Sequence, residues 1–141
     1  MTHVRALAVA GPDQAAAVQE VELPEPVAGQ VRVRTAAASI NGIDRALAAG
    51  YLWGMPHTFP VVVGRDFAGV VDIVGDGVTG LSAGDRVAGV YTAMDLQVGT
   101  VAEAVTIDAG LVVPIPTPVT AEQAAATGLA AVTALDLVQR P

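Results

Sequence analysis

Short apolar stretches separated by turn residues dominate the first three quarters of the chain. Three of them are divided by GPDQ and PEPVAGQ, where Gly and Pro favour turns, and they cover residues 3–10, 16–23 and 30–38. Four more follow at residues 67–74, 85–91, 100–107 and 111–116. Strands at such close spacing predict a small antiparallel barrel.

Two segments have the sequence features of helices instead. Residues 39–50, SINGIDRALAAG, predict a short helix that begins near Ser39 or Asn41 and ends at the terminal glycine of the segment. A second helix is predicted from Thr120, where TAEQ forms a capping box, toward Val138 through alanine-rich sequence that a single glycine interrupts.

A GxGxxG motif at the end of an apolar run raises the question of a dinucleotide site. Its glycines are Gly75, Gly77 and Gly80, and Asp95 lies 20 residues after the first of them. Such a motif binds a pyrophosphate only where it joins a strand to a helix, because the phosphate sits on the helix N-terminus. The residues that follow here, LSAGDRVAGVY, favour a second turn and a returning strand. The motif is therefore interpreted as a hairpin-type turn and not as a cofactor site.

Composition indicates one folded domain without a strongly charged surface. Of the 141 residues 52% are hydrophobic and 15% are charged, which is enough for a real core. The net charge is −7 and the seven basic residues are scattered arginines, which argues against nucleic acid as a partner. The absence of cysteine excludes disulfides and thiolate metal sites. The apolar windows are shorter than a membrane span and the N-terminus lacks a signal-peptide pattern, so we expect a cytoplasmic protein that does not bind a membrane.

Four ordered segments resemble the medium-chain dehydrogenase/reductase family, in its zinc-independent quinone reductase and enoyl reductase branch. Residues 59–90, FPVVVGRDFAGVVDIVGDGVTGLSAGDRVAGV, are similar to the family's central signature. The other three resemble the Asn-Pro-x-Asp helix, the Gly-Ser-Tyr-Ala-Glu-Tyr-Val strand and the linker helix into the nucleotide half, and they cover residues 38–50, 99–107 and 116–138. The resemblance extends over almost the whole chain.

This resemblance implies a mainly β fold with short helices, a GroES-like, partly open barrel. Residues 1–120 would be the substrate-facing catalytic domain, and residues 121–141 would be a linker helix toward a Rossmann domain that the 141 residues lack. We expect the nucleotide half to continue the polypeptide, which makes the chain a fragment, or to be a separate chain. The alternative is a free-standing GroES-like module that binds a small molecule or a partner without redox activity.

The zinc ligands of the related metal-dependent branch are replaced in this sequence. That branch has Cys at the position of Asn41 and Gly-His-Glu at Gly64, Arg65 and Asp66. An amide replaces the thiolate, and a guanidinium, which cannot bind a cation, replaces the imidazole. We therefore expect no zinc and no other metal.

The resemblance implies NADPH as the cofactor and a quinone or an enone as the hydride acceptor, with the protein positioning both. Asn41 and Thr127 would contact the nicotinamide end. From the residues alone, the alternatives are a helix cap for Asn41 and a helix-interior hydroxyl for Thr127. Tyr51 and Asp44 are the candidate catalytic residues: Tyr51 is the substitute for a tyrosine that relatives often carry at Ala46. A structural ion pair with a nearby arginine is the alternative for Asp44.

The stretch GYLWGMPHTFP is rich in large side chains for a chain with two tyrosines, one tryptophan and two phenylalanines. Trp53, Met55 and Phe59, together with Arg65, are candidates for the wall of a pocket that holds a flat acceptor. The alternative is that the aromatic residues cap the open end of the barrel. Because the face that packs on the nucleotide half would be uncovered, we expect a homodimer or pairing with a nucleotide-binding domain in cis or in trans.

Overall fold

The computed structural model describes residues 2–140, which form eight strands, two α-helices and one 3-10 turn. The strands are β1 (Thr2–Val9), β2 (Ala17–Leu23), β3 (Gln30–Ser39), β4 (Val61–Val62), β5 (Asp66–Val74), β6 (Arg86–Val90), β7 (Ala104–Asp108) and β8 (Val112–Pro114). The helices are α1 (Gly42–Ala48) and α2 (Ala121–Gln139), and the 3-10 turn spans Ala109–Leu111. The predicted mainly β fold is confirmed.

The strands pair antiparallel into two sheets, in the orders β2-β1-β4 and β7-β3-β5-β6-β8. Residues 101–103 run between the sheets and bind both: Glu103 N donates to Arg5 O, and Thr35 N donates to Glu103 O, each at 3.0 Å. This is why the strand predicted over residues 100–107 is regular only from Ala104 onward. The segment joins the sheets into a partly open barrel.

The core of the larger sheet is built almost entirely from branched aliphatic side chains. Its fully buried aromatic residue, Phe67, packs among them, and the cluster consists of Val31, Val33, Phe67, Val71, Val87, Val105, Ile107 and Val112. Such β-branched residues favour strands because they pack well on a pleated surface. A chain poor in aromatic residues thus obtains its core from valine.

The GxGxxG segment connects β5 to β6 through two turns, as predicted. Gly75 N donates to Gln30 O at 2.8 Å, and Gly77 has a φ of 76°, the left-handed conformation that favours glycine. The second turn is closed by Asp85 N, which donates to Ser82 O at 3.1 Å. A strand and not a helix follows, so the motif offers no helix N-terminus to a phosphate.

α2 begins at the predicted capping box. Gln123 N donates to the Thr120 hydroxyl at 3.2 Å, and Thr120 N donates to the Gln123 side chain at 3.0 Å. The helix continues through Gly128 to Gln139, as the predicted helix toward Val138 requires. Ala124 and Ala125 are buried against the barrel, whereas residues 130–140 are all exposed. In the part of the chain that the structure describes, no helix is long and apolar enough to cross a membrane.

The exposed second half of α2 is expected to make the chain self-associate. Val132, Leu135 and Val138 are 62%, 56% and 83% exposed, and exposed apolar surface of this kind drives association. Light scattering should show dimers or larger species, and the double substitution Val132→Gln and Leu135→Lys should shift the chain toward the monomer. Val18→Gln, which removes an isolated exposed valine on β2, is the control. A wild-type chain that stays monomeric at high concentration would refute this expectation.

Candidate active site

A buried carboxylate, Asp66, connects three elements at the start of β5. The Ser39 hydroxyl donates to its Oδ1 at 2.5 Å, in keeping with the pairing of these two residues across β3 and β5. Asn41 Nδ2 lies 3.3 Å from the same oxygen, and the Leu129 amide of α2 donates to Oδ2 at 2.9 Å. Asp66 therefore joins the end of β3, the start of α1 and the middle of α2.

α2 reaches Asp66 because residue 128 is glycine. A Cβ on Gly128 would lie 2.9 Å from the Cβ of Asp66, closer than real Cβ atoms approach, and 3.1 Å from a Val90 methyl carbon, which is tighter than most such contacts. The single glycine in this alanine-rich helix therefore lets α2 approach β5.

Asn41 and Asp44 hold the start of α1. Asn41 is the N-cap residue, and its backbone N–H donates to Asp44 Oδ2 at 2.7 Å. The other carboxylate oxygen of Asp44 accepts from Gly64 N at 3.0 Å. Asn41 thus stands at the N-cap position of α1, as the cap interpretation requires, and Asp44 supplies the bond to its backbone. None of the ion pairs within residues 2–140 includes Asp44 or Asp66, so the expected pairing with an arginine does not form.

Burial raises the pKa of Asp44. Desolvation is the largest cause and the nearby Asp66 carboxylate adds to it, while the two backbone donors and the Arg65 charge oppose it. Each oxygen of the buried Asp44 carboxyl group accepts a hydrogen bond from the backbone. This arrangement fits a structural role, because a catalytic group must contact the reacting atoms.

Asp44→Asn is expected to lower the free energy of unfolding by about 1 to 3 kcal/mol, because the new NH2 group faces a backbone donor. The folded-state pKa of Asp44 lies above its unfolded value. Its contribution is therefore fully present below the unfolded pKa and is lost as the pH rises through the folded pKa. The difference in the free energy of unfolding between wild type and Asp44→Asn should therefore widen as the pH falls from about 7 to about 4. Urea unfolding at several pH values measures it. A difference that narrows toward acid would contradict the assignment.

Arg65 is buried without a carboxylate partner among the ion pairs of the described residues. Its Nη2 donates to Asp95 O at 2.8 Å, and the guanidinium lies 5.4 Å from the ring centroid of Tyr91. The Tyr91 hydroxyl donates to Asp95 Oδ1 at 2.7 Å, and burial, followed by this carboxylate, raises the pKa of Tyr91 to about 12. Arg65 therefore holds the loop that follows β6.

The residues at the zinc-ligand positions do not fit a zinc ion. Arg65 offers only donors, and the Asn41 NH2 group is turned toward the Asp66 carboxylate. Within residues 2–140 there is also no group of three or more His, Asp or Glu side chains placed to hold a metal. The absence of a metal from the functional protein remains a prediction.

The loop at residues 50–60, which holds Tyr51, Trp53 and Phe59, packs onto the barrel. The ring centroids of Trp53, His57 and Phe59 lie 4.9 to 5.3 Å from one another. Three side chains of this loop, those of Trp53, Met55 and Phe59, contact a buried cluster. The cluster consists of Val9, Leu47, Val61, Val63 and Leu96. This arrangement corresponds to the capping interpretation.

Tyr51 and Thr127 lie apart from that loop packing. Tyr51 is 82% exposed and borders a shallow hollow at the end of α1. The Thr127 hydroxyl lies 3.0 Å from Gln123 O and 3.1 Å from Ala124 O, as a helix-interior hydroxyl does. Thr127 also lines an apolar groove of about 490 Å³ between α2 and strands β6 and β8.

The structure thus brings Asn41, Asp44 and the Thr127 segment together around Asp66. Tyr51, Trp53, Met55 and Phe59 lie in other surroundings. The sequence assigns no site role to Ser39 or to the Leu129 amide, and it places Asp66 among the residues at the replaced zinc-ligand positions. No local pattern marks them, because their contacts span 27 and 63 residues of sequence.

Residues 27–117 match the alcohol dehydrogenase GroES-like domain. The chain belongs to this family. The similar proteins include quinone oxidoreductases and enoyl reductases, which confirms the branch that the sequence resembles.

Three relatives illustrate the extent of the likeness. Trans-enoyl reductase thnE of Trichoderma harzianum is 36% identical over 139 residues, which cover 94% of this chain and 36% of that protein. The quinone oxidoreductase of Coxiella burnetii has a TM-score of 0.87 at 25% identity, over 97% of this chain and 43% of that one. A mycobacterial protein complexed with NADPH has a TM-score of 0.74 at 30% identity, over 96% and 41%. The chain spans 24% to 37% of the length of four curated relatives.

Proposed function

We propose that these residues form the catalytic half of an oxidoreductase that uses NADPH, without zinc, to reduce a quinone or an activated C=C bond. In this proposal residues 1–120 are the substrate-facing domain, and residues 121–141 lead toward a nucleotide-binding domain supplied in cis or in trans. The chain spans only 37% and 36% of the length of two curated relatives, which supports the proposal of a second domain. The remaining proposed features are a homodimer and a cytoplasmic location, with no nucleic acid or membrane partner.

One observation carries the proposal: Asp66 holds the cap of α1 and the middle of α2 side by side. Asn41 lies 3.3 Å from one oxygen of this carboxylate, and the amide two residues after Thr127 lies 2.9 Å from the other. Asn41 and Thr127, which the resemblance assigns to the nicotinamide end, therefore lie on the neighbouring elements α1 and α2. Asn41 is half-buried and Thr127 lines a groove, so both fit a cofactor that approaches from outside the barrel.

When bound, NADPH supplies the hydride, and the residues of this chain supply position. Asn41 and Thr127 orient the nicotinamide ring, and Asp44 fixes the start of α1 beneath Asn41. Arg65 keeps the loop at residues 91–95 in place at the proposed acceptor side. Tyr51 is exposed. It can deliver a proton only if the bound acceptor or a second domain covers it.

The test of this function is NADPH oxidation by the complete two-domain protein with a quinone acceptor. Activity is expected to be unchanged by a chelator, because Asn41 and Arg65 cannot hold zinc. Activity that is lost on chelation and restored by zinc would overturn the zinc-independent mechanism. A complete protein that oxidises NADPH with neither quinone nor enone would overturn the proposed reaction.

The groove beside Thr127 favours a second candidate, a free-standing module that binds a small apolar molecule. Its walls are largely aliphatic side chains, among them Val113, Ile115 and Val132. In this case the 141-residue chain alone would bind the molecule, and Val132→Gln would weaken binding. Under the oxidoreductase proposal, Thr127 in this groove serves the cofactor, and the 141-residue chain alone is expected to bind no apolar molecule there.

A further inference from the structure

The only asparagine of the 141 residues, Asn41, stands directly before a glycine. In such a pair the backbone nitrogen of the glycine can attack the side-chain amide carbon of the asparagine, because the glycine has no Cβ to hinder the approach. Asparagine is counted among the thermolabile residues. The fold permits this attack if the glycine nitrogen is free and the amide can turn toward it.

The backbone nitrogen of Gly42 is free to react. Gly42 is the first residue of α1, and the first N–H groups of a helix have no partner inside it. Within residues 2–140 this N–H donates to neither a backbone nor a side-chain acceptor. Gly42 is exposed, and a Cβ built on it would meet nothing within 4 Å. Solvent therefore reaches the nitrogen that has to lose its proton.

The side-chain amide of Asn41 is held only by long hydrogen bonds. Its Nδ2 lies 3.3 Å from Ser39 Oγ and 3.3 and 3.4 Å from the two oxygens of Asp66, longer than usual for N–H···O bonds. The backbone of Asn41 is extended, with φ −117° and ψ 174°, so the residue lies outside the regular turns of the helix. Its Cγ can therefore turn toward the Gly42 nitrogen without breaking a short hydrogen bond of the NH2 group.

We propose that Asn41 and Gly42 form a self-modification site at which Asn41 is converted into aspartate or isoaspartate. The Gly42 nitrogen loses its proton and forms a bond to Asn41 Cγ, the bond from Cγ to Nδ2 breaks, and Nδ2 leaves as ammonia. Water then opens the cyclic imide. Opening at Cγ gives aspartate, and opening at the backbone carbonyl carbon gives isoaspartate. Nothing is oxidised or reduced, and the chain adds one negative charge to its net charge of −7.

The conversion places a second carboxylate against Asp66. The Asn41 NH2 group faces both oxygens of Asp66, whereas a carboxylate in its place only accepts hydrogen bonds and is repelled. Aspartate caps a helix as well as asparagine does, so a loss of stability comes from the contact with Asp66 and not from the cap. Because Asp66 also binds the Leu129 amide, a modification at the start of α1 affects α2.

The test is to age the folded 141-residue chain at neutral pH and to follow it by isoelectric focusing and peptide mapping. Trypsin releases residues 35–45, TAAASINGIDR, which include the only asparagine. This peptide should gain one negative charge and separate into an aspartate and an isoaspartate product. Gly42→Pro is the matched control, because proline lacks the attacking N–H, follows an extended residue and is favoured at the first position of a helix. It should fold and show a loss of both products.

The same chain unfolded in urea supplies the reference rate and needs no variant. A folded chain that shows no conversion over the time in which the unfolded chain converts overturns the proposal. Equal conversion of wild type and Gly42→Pro also overturns it, because the Gly42 nitrogen would then not be the nucleophile.

The effect on Asp66 is measured with Asn41→Asp, which reproduces the aspartate product. It should unfold at a lower urea concentration than Asn41→Ser, which keeps an uncharged cap, and it should shift the Leu129 amide resonance in ¹H–¹⁵N spectra. Equal urea midpoints of the two variants, with an unchanged Leu129 resonance, would refute the repulsion at Asp66.

Discussion

Gly69→Ala is expected to prevent folding or to lower the free energy of unfolding by about 3 kcal/mol or more, because overpacking against backbone cannot be relieved by a rotamer change. Gly69 lies in the middle of β5, paired with Thr35 on one side and with Val87 on the other. A Cβ there would lie 2.0 Å from Arg34 O and 2.9 Å from Arg34 C. The neighbouring β3 backbone would have to move away from β5, next to the register shift that the two strands have between Thr35 and Ala37.

Urea unfolding followed by circular dichroism measures this effect. Gly54→Ala is the matched control, because a Cβ on Gly54 meets nothing within 4 Å and the residue has no positive φ. It should leave stability within about 0.5 kcal/mol of wild type. A Gly69→Ala chain as stable as this control would show that β3 and β5 do not approach as closely as described.

The second large effect concerns NADPH, which the 141-residue chain is expected to bind with a dissociation constant no tighter than about 1 mM. In the described residues the GxGxxG turn leads into β6, so the backbone cradle that a pyrophosphate needs does not form there. The only contacts that the proposed function gives these residues are at the nicotinamide end, around Asn41 and Thr127. Most of the binding free energy of a dinucleotide therefore has no source in these residues.

Calorimetric titration of the chain with NADPH tests this directly. Micromolar binding to the chain alone would contradict the division of the site between two domains. Addition of a nucleotide-binding domain in trans should restore tight binding if the split arrangement is correct.

Much of the fold was predictable because its signals are local. The capping box at Thr120, the cap at Asn41 and the turns around Gly77 each depend on residues within a few positions. The chain order of the main strands follows from apolar stretches between turns. The two-residue strand β4 and the path of residues 101–103 were not predictable, because both depend on distant strands as partners.

The candidate site was less predictable than the fold. Asn41 and Asp44 stand out in the sequence through their helix, but their shared dependence on Asp66 arises only when β3, β5 and α2 meet. Arg65 is similar: the sequence shows a guanidinium in place of an imidazole, while its binding to the Asp95 carbonyl depends on a loop 30 residues away. The reason for a glycine at position 128 within the predicted helix is visible only in its packing against Asp66.

The exposed second half of α2 can report small rotations of the helix about its anchor on Asp66. A continuous helix rises 1.5 Å per residue, so Val138 stands about 14 Å along the axis from Leu129, whose amide is anchored on Asp66. Since the residues beyond the anchor are exposed, a spin label or fluorophore at Val138 would leave the barrel undisturbed while moving as one piece with the helix. With an arm of about 14 Å, a rotation of about 10° at the anchor displaces the label by about 2.5 Å. Distances from Val138 to a second label on β2 would therefore report how firmly Asp66 holds the helix.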